Sequence, residues 1–240
     1  MLVVAPQEEE LEPLVEAFAA LGHERHPQSV GRIDVVVFDR LRLVVALGGH
    51  GKVQFAVQTQ HLLDMLPDVA TVVRAGAAGS LRDEVVRGDV VVGTCCIEHD
   101  YRLRFVAAPA PTHQADQAAV REIQALFSSP DGRFRVLCGP IASGDEDIVD
   151  AVRARELHAQ TGALCVAWEG AGAARAAKFS ARKFLELRVI TDGADEAAAS
   201  DYRVSLRAVM PNLADVIAAW ACQARRPDNG IQSDDASHRR

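Results

Sequence analysis

Short apolar runs alternate with stretches of helical period along almost the whole chain, and that alternation limits the fold more than any other feature. Leu2–Ala5, "IDVVVF" (33–38), "LRLVVAL" (41–47), "ATVVRAG" (70–76), "GDVVVGTC" (88–95), "FRVLCGPIAS" (134–143), "ALCVAW" (163–168) and "FLELRVIT" (184–191) read as strands. Between them a helix fits the segment after Pro6, with Leu11, Leu14, Val15 and Phe18 on one face. Further helices fit 51–66 (Val53, Ala56, Val57 and His61 aligned), 114–127, 145–159, 170–180 and 203–223. Strands that alternate with helices build a mixed or parallel twisted sheet with helices packed on it. The expected architecture is therefore a single α/β domain over residues 1–224, with a central mixed twisted β-sheet flanked by helices. From about Arg225 the sequence "RRPDNGIQSDDASHRR" is polar and aperiodic, and a disordered tail is expected over 225–240.

Composition narrows the function classes. Acids outnumber bases 33 to 26, giving a net charge of −7. With no long basic run, this argues against a nucleic-acid or membrane surface. No apolar stretch approaches the roughly 20 residues of a membrane helix, and "MLVVAPQEEE" lacks the basic start of a signal peptide. Five cysteines without CxxC spacing point to a reducing cytoplasm. The eight histidines show no metal-ligand spacing, so no metal is expected. "GGHGK" lacks the P-loop spacing, and no strand–GxGxxG–helix unit or GxSxG is present. No organic cofactor is expected.

The polar residues that remain fall just after strands, where ligands gather in open α/β sheets. Glu10, Arg74, Glu169 and Asp192 are placed to converge on one pocket. Glu169 ends an apolar strand and is followed by Gly170, Ala171, Gly172 and Ala173, small residues that let a backbone or a ligand come close. It is either a first-turn acid favoured by a helix dipole or an acceptor for two neighbouring hydroxyls, as on a ribose. Asp192 in "VITDGAD" is either an Asx-type cap or an acid that protonates a leaving group. In "QEEE" (7–10), at least two of the three acids are solvated helix-start residues. "RAGAAGS" (74–80), with Ala77 and Gly79, reads as a turn whose N–H groups hold an anion or a sugar edge.

In order, "APQEEE", "GGHGK", "RAGAAGSL" with "GDVVV", "IASGD", "AWEGAG" and "ITDGAD" resemble the purine nucleoside phosphorylase/uridine phosphorylase superfamily. Within it they look most like the methylthioadenosine/S-adenosylhomocysteine nucleosidase branch. The resemblance runs from Leu2 to about Cys222. It implies an N-ribosidic hydrolase that acts on a purine nucleoside and assembles as a homodimer or larger homo-oligomer. By the same resemblance Glu10 activates the attacking water, Glu169 binds the ribose hydroxyls and Asp192 protonates the purine at N7. Ile148 corresponds to a residue that meets the base through its backbone.

Departures from the pattern bear on the substrate. Trp168 stands where the family usually has a methionine under the ribose, and Asp147 where it often has a base-stacking aromatic. Arg74 matches an arginine that binds phosphate in many phosphorylases, yet their N-terminal glycine-and-arginine phosphate loop is replaced by the acidic cluster. Hydrolysis is the favoured reading. Phosphorolysis, a futalosine-like 5′-modified nucleoside, and a non-catalytic nucleoside-binding member are the alternatives. The plainest reading of Arg74 is a salt bridge to Glu8 or Glu9.

Overall fold

The computed structural model describes residues 1–106, 108–129 and 132–223. The tail expected over 225–240 lies outside the described residues. Strand β1 (Leu2–Ala5) is buried at every position and pairs in parallel with β4 (Leu43–Leu47) on one side and β5 (Thr71–Ser80) on the other. A strand covered on both faces has no polar side to present, which accounts for its unbroken apolar sequence. Beyond β4 lie two antiparallel neighbours, β3 (Ile33–Phe38) and β2 (His26–Val30).

On the other side the sheet curls. β10 (Lys183–Asp192) pairs in parallel with β5 and antiparallel with β6 (Val90–Glu98). β6 pairs with the short β7 (Thr112–Gln114) and with β8 (Val136–Ser143), and β8 with β9 (Cys165–Ala167). β9 then returns to Gly79 and Ser80 at the end of β5. Strands β5, β10, β6, β8 and β9 thus form a closed ring, whereas the sequence suggested an open sheet.

Helices α1 (Glu8–Ala20), α3 (Gln117–Leu126) and α6 (Ala198–Gln223) cover one face, burying Leu14, Phe18, Ile123 and Leu213. Helices α2 (Lys52–Met65) and α5 (Gly170–Phe179) cover the other through Phe55, Leu62, Ala173 and Ala177. α4 (Ala151–Thr161) closes a smaller cluster with Ile148 and Val166.

Several elements depart from the sequence reading. β2, "HPQSV", has four exposed positions of five and carries no apolar alternation to announce it. α2 has the expected bounds but the opposite face, with Phe55 and Leu62 buried and Val53 74% and Val57 65% exposed. "RAGAAGS" is not a turn but the second half of β5, paired in register with β10 as far as Ala78, with an irregularity before Asp192 meets Gly79. Residues 144–150 are not helical, because Asp150 caps α4 by accepting from the Val152 and Arg153 N–H groups. The small residues after Glu169 serve packing. A Cβ at Gly170 would meet the Glu186 carboxylate, and one at Gly172 the Lys52 carbonyl.

Candidate active site

A cavity of about 530 Å³ opens over the carboxyl ends of β1, β5, β9 and β10. It is lined by all nine residues singled out in the sequence: Glu10, Arg74, Ala77, Gly79, Asp147, Ile148, Trp168, Glu169 and Asp192. Glu8 and Glu9 are exposed, so Glu10 alone of the N-terminal acids is buried. Its place is set by β5. Oε2 of Glu10 accepts the Ala77 N–H at 2.8 Å, and the Tyr202 hydroxyl lies 3.4 Å from Oε1. Gly76 leaves the necessary room, since a Cβ there would run into the Glu10 carboxylate.

Glu169 is buried at the end of β9 and held from two directions. Oε2 accepts from Arg74 Nη2 at 2.6 Å, and Oε1 from the Gly51 N–H at 3.3 Å. Gly51 reaches it with φ +79°, a conformation glycine adopts without strain. Arg74 therefore pairs with Glu169, not with Glu8 or Glu9. Its Nη1 also donates to the Ala75 carbonyl, and Cζ sits 5.1 Å from the centre of the Phe55 ring. A guanidinium so occupied is no open fork for phosphate.

Two further buried ions extend this group. Arg188 donates from Nε to Glu186 Oε1 at 2.8 Å and from Nη1 to the Ala77 carbonyl at 3.2 Å. Its Nη2 lies 4.0 Å from Glu169 Oε2. The connected cluster holds three buried carboxylates (Glu10, Glu169 and Glu186) and two buried guanidiniums (Arg74 and Arg188), one positive charge short. The shortfall falls on Glu10. Burial pushes its carboxyl above the usual range against the pull of Arg74, and the neighbouring Glu169 adds to the rise. Burial also works to raise Glu169, but Arg74 and Arg188 outweigh it and hold that carboxyl below its ordinary range.

Asp192 makes the Asx-type contact of its first reading and also borders the cavity. Oδ1 accepts the Ala194 N–H at 3.0 Å, an Asx-type turn, while the carboxyl also lines the cavity and Oδ2 accepts from the Thr191 hydroxyl at 2.7 Å. Burial raises its pKa despite both hydrogen bonds. Ile148, Ala78 and Ala167 form a mostly apolar slot beside it, and Asp147 sits exposed at the slot's edge. Trp168 stacks on His50, with ring centres 4.2 Å apart.

Arg188, Glu186, Tyr202 and His50 escaped the sequence reading. A signal existed for the first two: acid and base two residues apart in an apolar strand share one face, and burial obliges them to pair. Tyr202 and His50 are brought in by tertiary packing alone. Among the described residues no group of three His, Cys, Asp or Glu side chains is arranged to hold a metal.

A mixed sheet closed into a ring at one side, with buried carboxylates at its carboxyl ends, defines an α/β protein of nucleoside phosphorylase-like fold. The family model of the Phosphorylase superfamily matches residues 1–221, and the chain belongs to that family. It is 29% identical to the 5′-methylthioadenosine/S-adenosylhomocysteine nucleosidase of Thermotoga maritima, over 85% of this chain and 89% of that protein. The enzyme of that name from Exiguobacterium sp. is 30% identical over 75% of this chain and 79% of its own length. The Neisseria meningitidis nucleosidase, solved with methylthio-immucillin-A, superposes with a TM-score of 0.82 at 26% identity, covering 92% of this chain and 98% of that one. Helicobacter pylori futalosine hydrolase shares the fold, with a TM-score of 0.80 at 22% identity, over 92% of this chain and 97% of that one.

Proposed function

We propose that the protein is a purine nucleosidase that hydrolyses the N-ribosidic bond of a 5′-modified adenosine such as methylthioadenosine or S-adenosylhomocysteine. The observation that carries this reading is the meeting of Glu10, Glu169 and Asp192 in one cavity, with opposite pKa shifts on the two glutamates. Asp192, its pKa raised, gives its proton to the purine at N7, so the electrons of the C1′–N9 bond leave with a neutral base. Glu169, kept ionised by Arg74, accepts hydrogen bonds from the two ribose hydroxyls and offsets the growing positive charge on the sugar. Glu10, more basic than an ordinary glutamate, takes a proton from water as the water oxygen bonds to C1′. Ala77, Gly79 and Ile148 shape the walls, and Trp168 lies against the sugar. Related logic of an acid, a base and a cationic transition state operates in glycoside hydrolysis.

Water is favoured over phosphate by charge. The buried cluster already carries an unbalanced negative charge, and Arg74 is committed to Glu169. A phosphate dianion would enter against both. No metal or organic cofactor has a part in this scheme. The five cysteines are free thiols, which fits the reducing cytoplasm we propose as its compartment.

The test is base release from both nucleosides in phosphate-free buffer and again with phosphate. Adenine and the free sugar should appear without phosphate. Dependence on phosphate, with a ribose-1-phosphate-type product, would make the protein a phosphorylase, and no base release in either buffer would remove the nucleosidase reading.

A further inference from the structure

The turn that brings the Gly51 N–H to Glu169 does not hold itself. Three of its four residues, Gly48, Gly49 and Gly51, are glycines, and the latter two sit at φ +83° and +79°. Glycine gives up more backbone freedom on folding than any other residue, so a turn of this composition needs an anchor outside itself. The helix that follows supplies none at its cap. Gly51 precedes α2 and has no side chain to accept the first N–H groups of the helix.

The anchor is Lys52, the first residue of α2. Its backbone N–H donates to Asp145 Oδ1 at 2.9 Å, and its ammonium donates to Asp100 Oδ1 at 2.5 Å and to Glu98 Oε1 at 3.1 Å. Asp100 Oδ2 in turn accepts the Asp145 N–H at 2.9 Å. Lys52, Asp100 and Asp145 thus close a ring of hydrogen bonds across the start of α2, the residues just after β6 and the loop after β8. Arg175 joins from α5, donating to Glu98 Oε2 at 2.6 Å. Burial works to raise Glu98 and Asp100, but Lys52, with Arg175 at Glu98 and the Asp145 N–H at Asp100, outweighs it and holds both carboxyls below their ordinary range. None of these side chains lines the cavity, yet both arms of the ring lead into it. Gly51, one residue before Lys52, donates to Glu169 Oε1 at 3.3 Å, and Asp147 and Ile148, just after Asp145, are wall residues.

We propose that Lys52 is a positioning residue for Glu169: with Asp100 and Asp145 it fixes the Gly51 N–H, and through that donor the aim of the carboxylate at its ligand. Without the ammonium, Glu98 and Asp100 face each other as like charges, the ring opens, and the glycine turn is left to itself. The inference rests on Glu169 taking the ribose hydroxyls, as in the function proposed above, and it is read from affinity without turnover.

The experiment uses the full chain carrying Asp192→Asn, whose amide oxygen keeps the Ala194 N–H bond while the acid is lost. It is titrated by calorimetry with methylthioadenosine and with its 2′,3′-dideoxy counterpart, which share base and 5′ group. The ribonucleoside should bind about tenfold tighter or more, the worth of hydrogen bonds to a carboxylate. Lys52→Met and Asp145→Ala in that background should each cut the preference several-fold. Asp145→Asn, which keeps an oxygen for the Lys52 N–H, should retain most of it. Asp145 is exposed, so its replacement leaves a folded chain to measure should Lys52→Met fail to fold. A residue that only supported the fold would weaken both ligands alike and leave the ratio unchanged. A preference unmoved by Lys52→Met and Asp145→Ala would therefore overturn the proposal while leaving Glu169 with the sugar. Equal affinities in the Asp192→Asn chain itself, or binding of neither nucleoside, would sink the sugar assignment of the proposed function and this inference with it.

Discussion

Glu10 is poised by a mismatch of charge, and the mismatch has measurable consequences. A carboxyl whose folded-state pKa is raised stabilises the fold below its unfolded pKa and loses that contribution as pH rises through the folded value. Gln at position 10 cannot ionise and keeps the contribution. Glu10→Gln should therefore abolish turnover while its melting temperature gains on the unsubstituted protein between pH 5 and pH 8; calorimetry across that range checks it, and a difference flat in pH would remove the charge-shortfall account. Glu169 behaves in the opposite sense, since Arg74 and Arg188 keep its carboxyl below the ordinary range. Glu169→Ala leaves Arg74 buried without its partner, and a loss of about 3–5 kcal/mol in denaturant unfolding is expected along with the fall in kcat/KM. Asp192→Asn should lower kcat by ~10²–10⁴-fold or more, the usual worth of a positioned acid. The pH profile of kcat/KM should be a bell, since turnover needs Glu10 ionised and Asp192 protonated, and both carboxyls are held above their ordinary range. A profile flat from the carboxylate range to alkaline pH would show that these two are not the base and the acid.

At the scale of elements, β5 and β10 carry the site, and their legibility in sequence was uneven. The apolar first half of β5, "TVVR", announces itself, whereas "AGAAGS" looks like a turn because nothing in it favours a strand. Its extended form is imposed by pairing with β10 over Lys183–Ile190 and by the Glu10 carboxylate, which needs Gly76 and the Ala77 N–H. Gly76→Ala should for that reason depress turnover by at least a hundredfold with little change in circular dichroism. Turnover within a few-fold of normal would mean that Glu10 has another place to sit. The acids at strand ends were readable because a lone carboxylate after an apolar run is costly unless something receives it. What received Glu169 was not readable, since Gly51 and Arg74 reach it across 118 and 95 residues of sequence. The face of α2 misled for a plainer reason: Val53 and Val57 are apolar but exposed, and sequence periodicity cannot tell a core face from an uncovered one.

Over the whole molecule, large apolar side chains are also exposed at Tyr101, Leu103, Phe105 and Val106 in the segment after β6 and at Phe179 at the end of α5. We propose that the segment after β6 is covered in a homo-oligomer. Light scattering should return at least twice the mass of one chain, falling to one chain in Phe105→Glu; a monomeric mass for the unsubstituted protein at micromolar concentration would refute it. No helix among the described residues is long and apolar enough to cross a membrane. The closed ring of strands divides the molecule in another sense as well. Arg74, Ala77, Arg188 and Asp192 belong to two adjacent strands locked into that ring, whereas Gln7, His50, Asp147 and Tyr202 reach the cavity from loops and helices around its rim. Moving any of the first group disturbs a ladder fixed on both edges; exchanging any of the second leaves that ladder in place. Gene copies of such a protein are free to diverge in appetite while inheriting one unaltered way of breaking a bond.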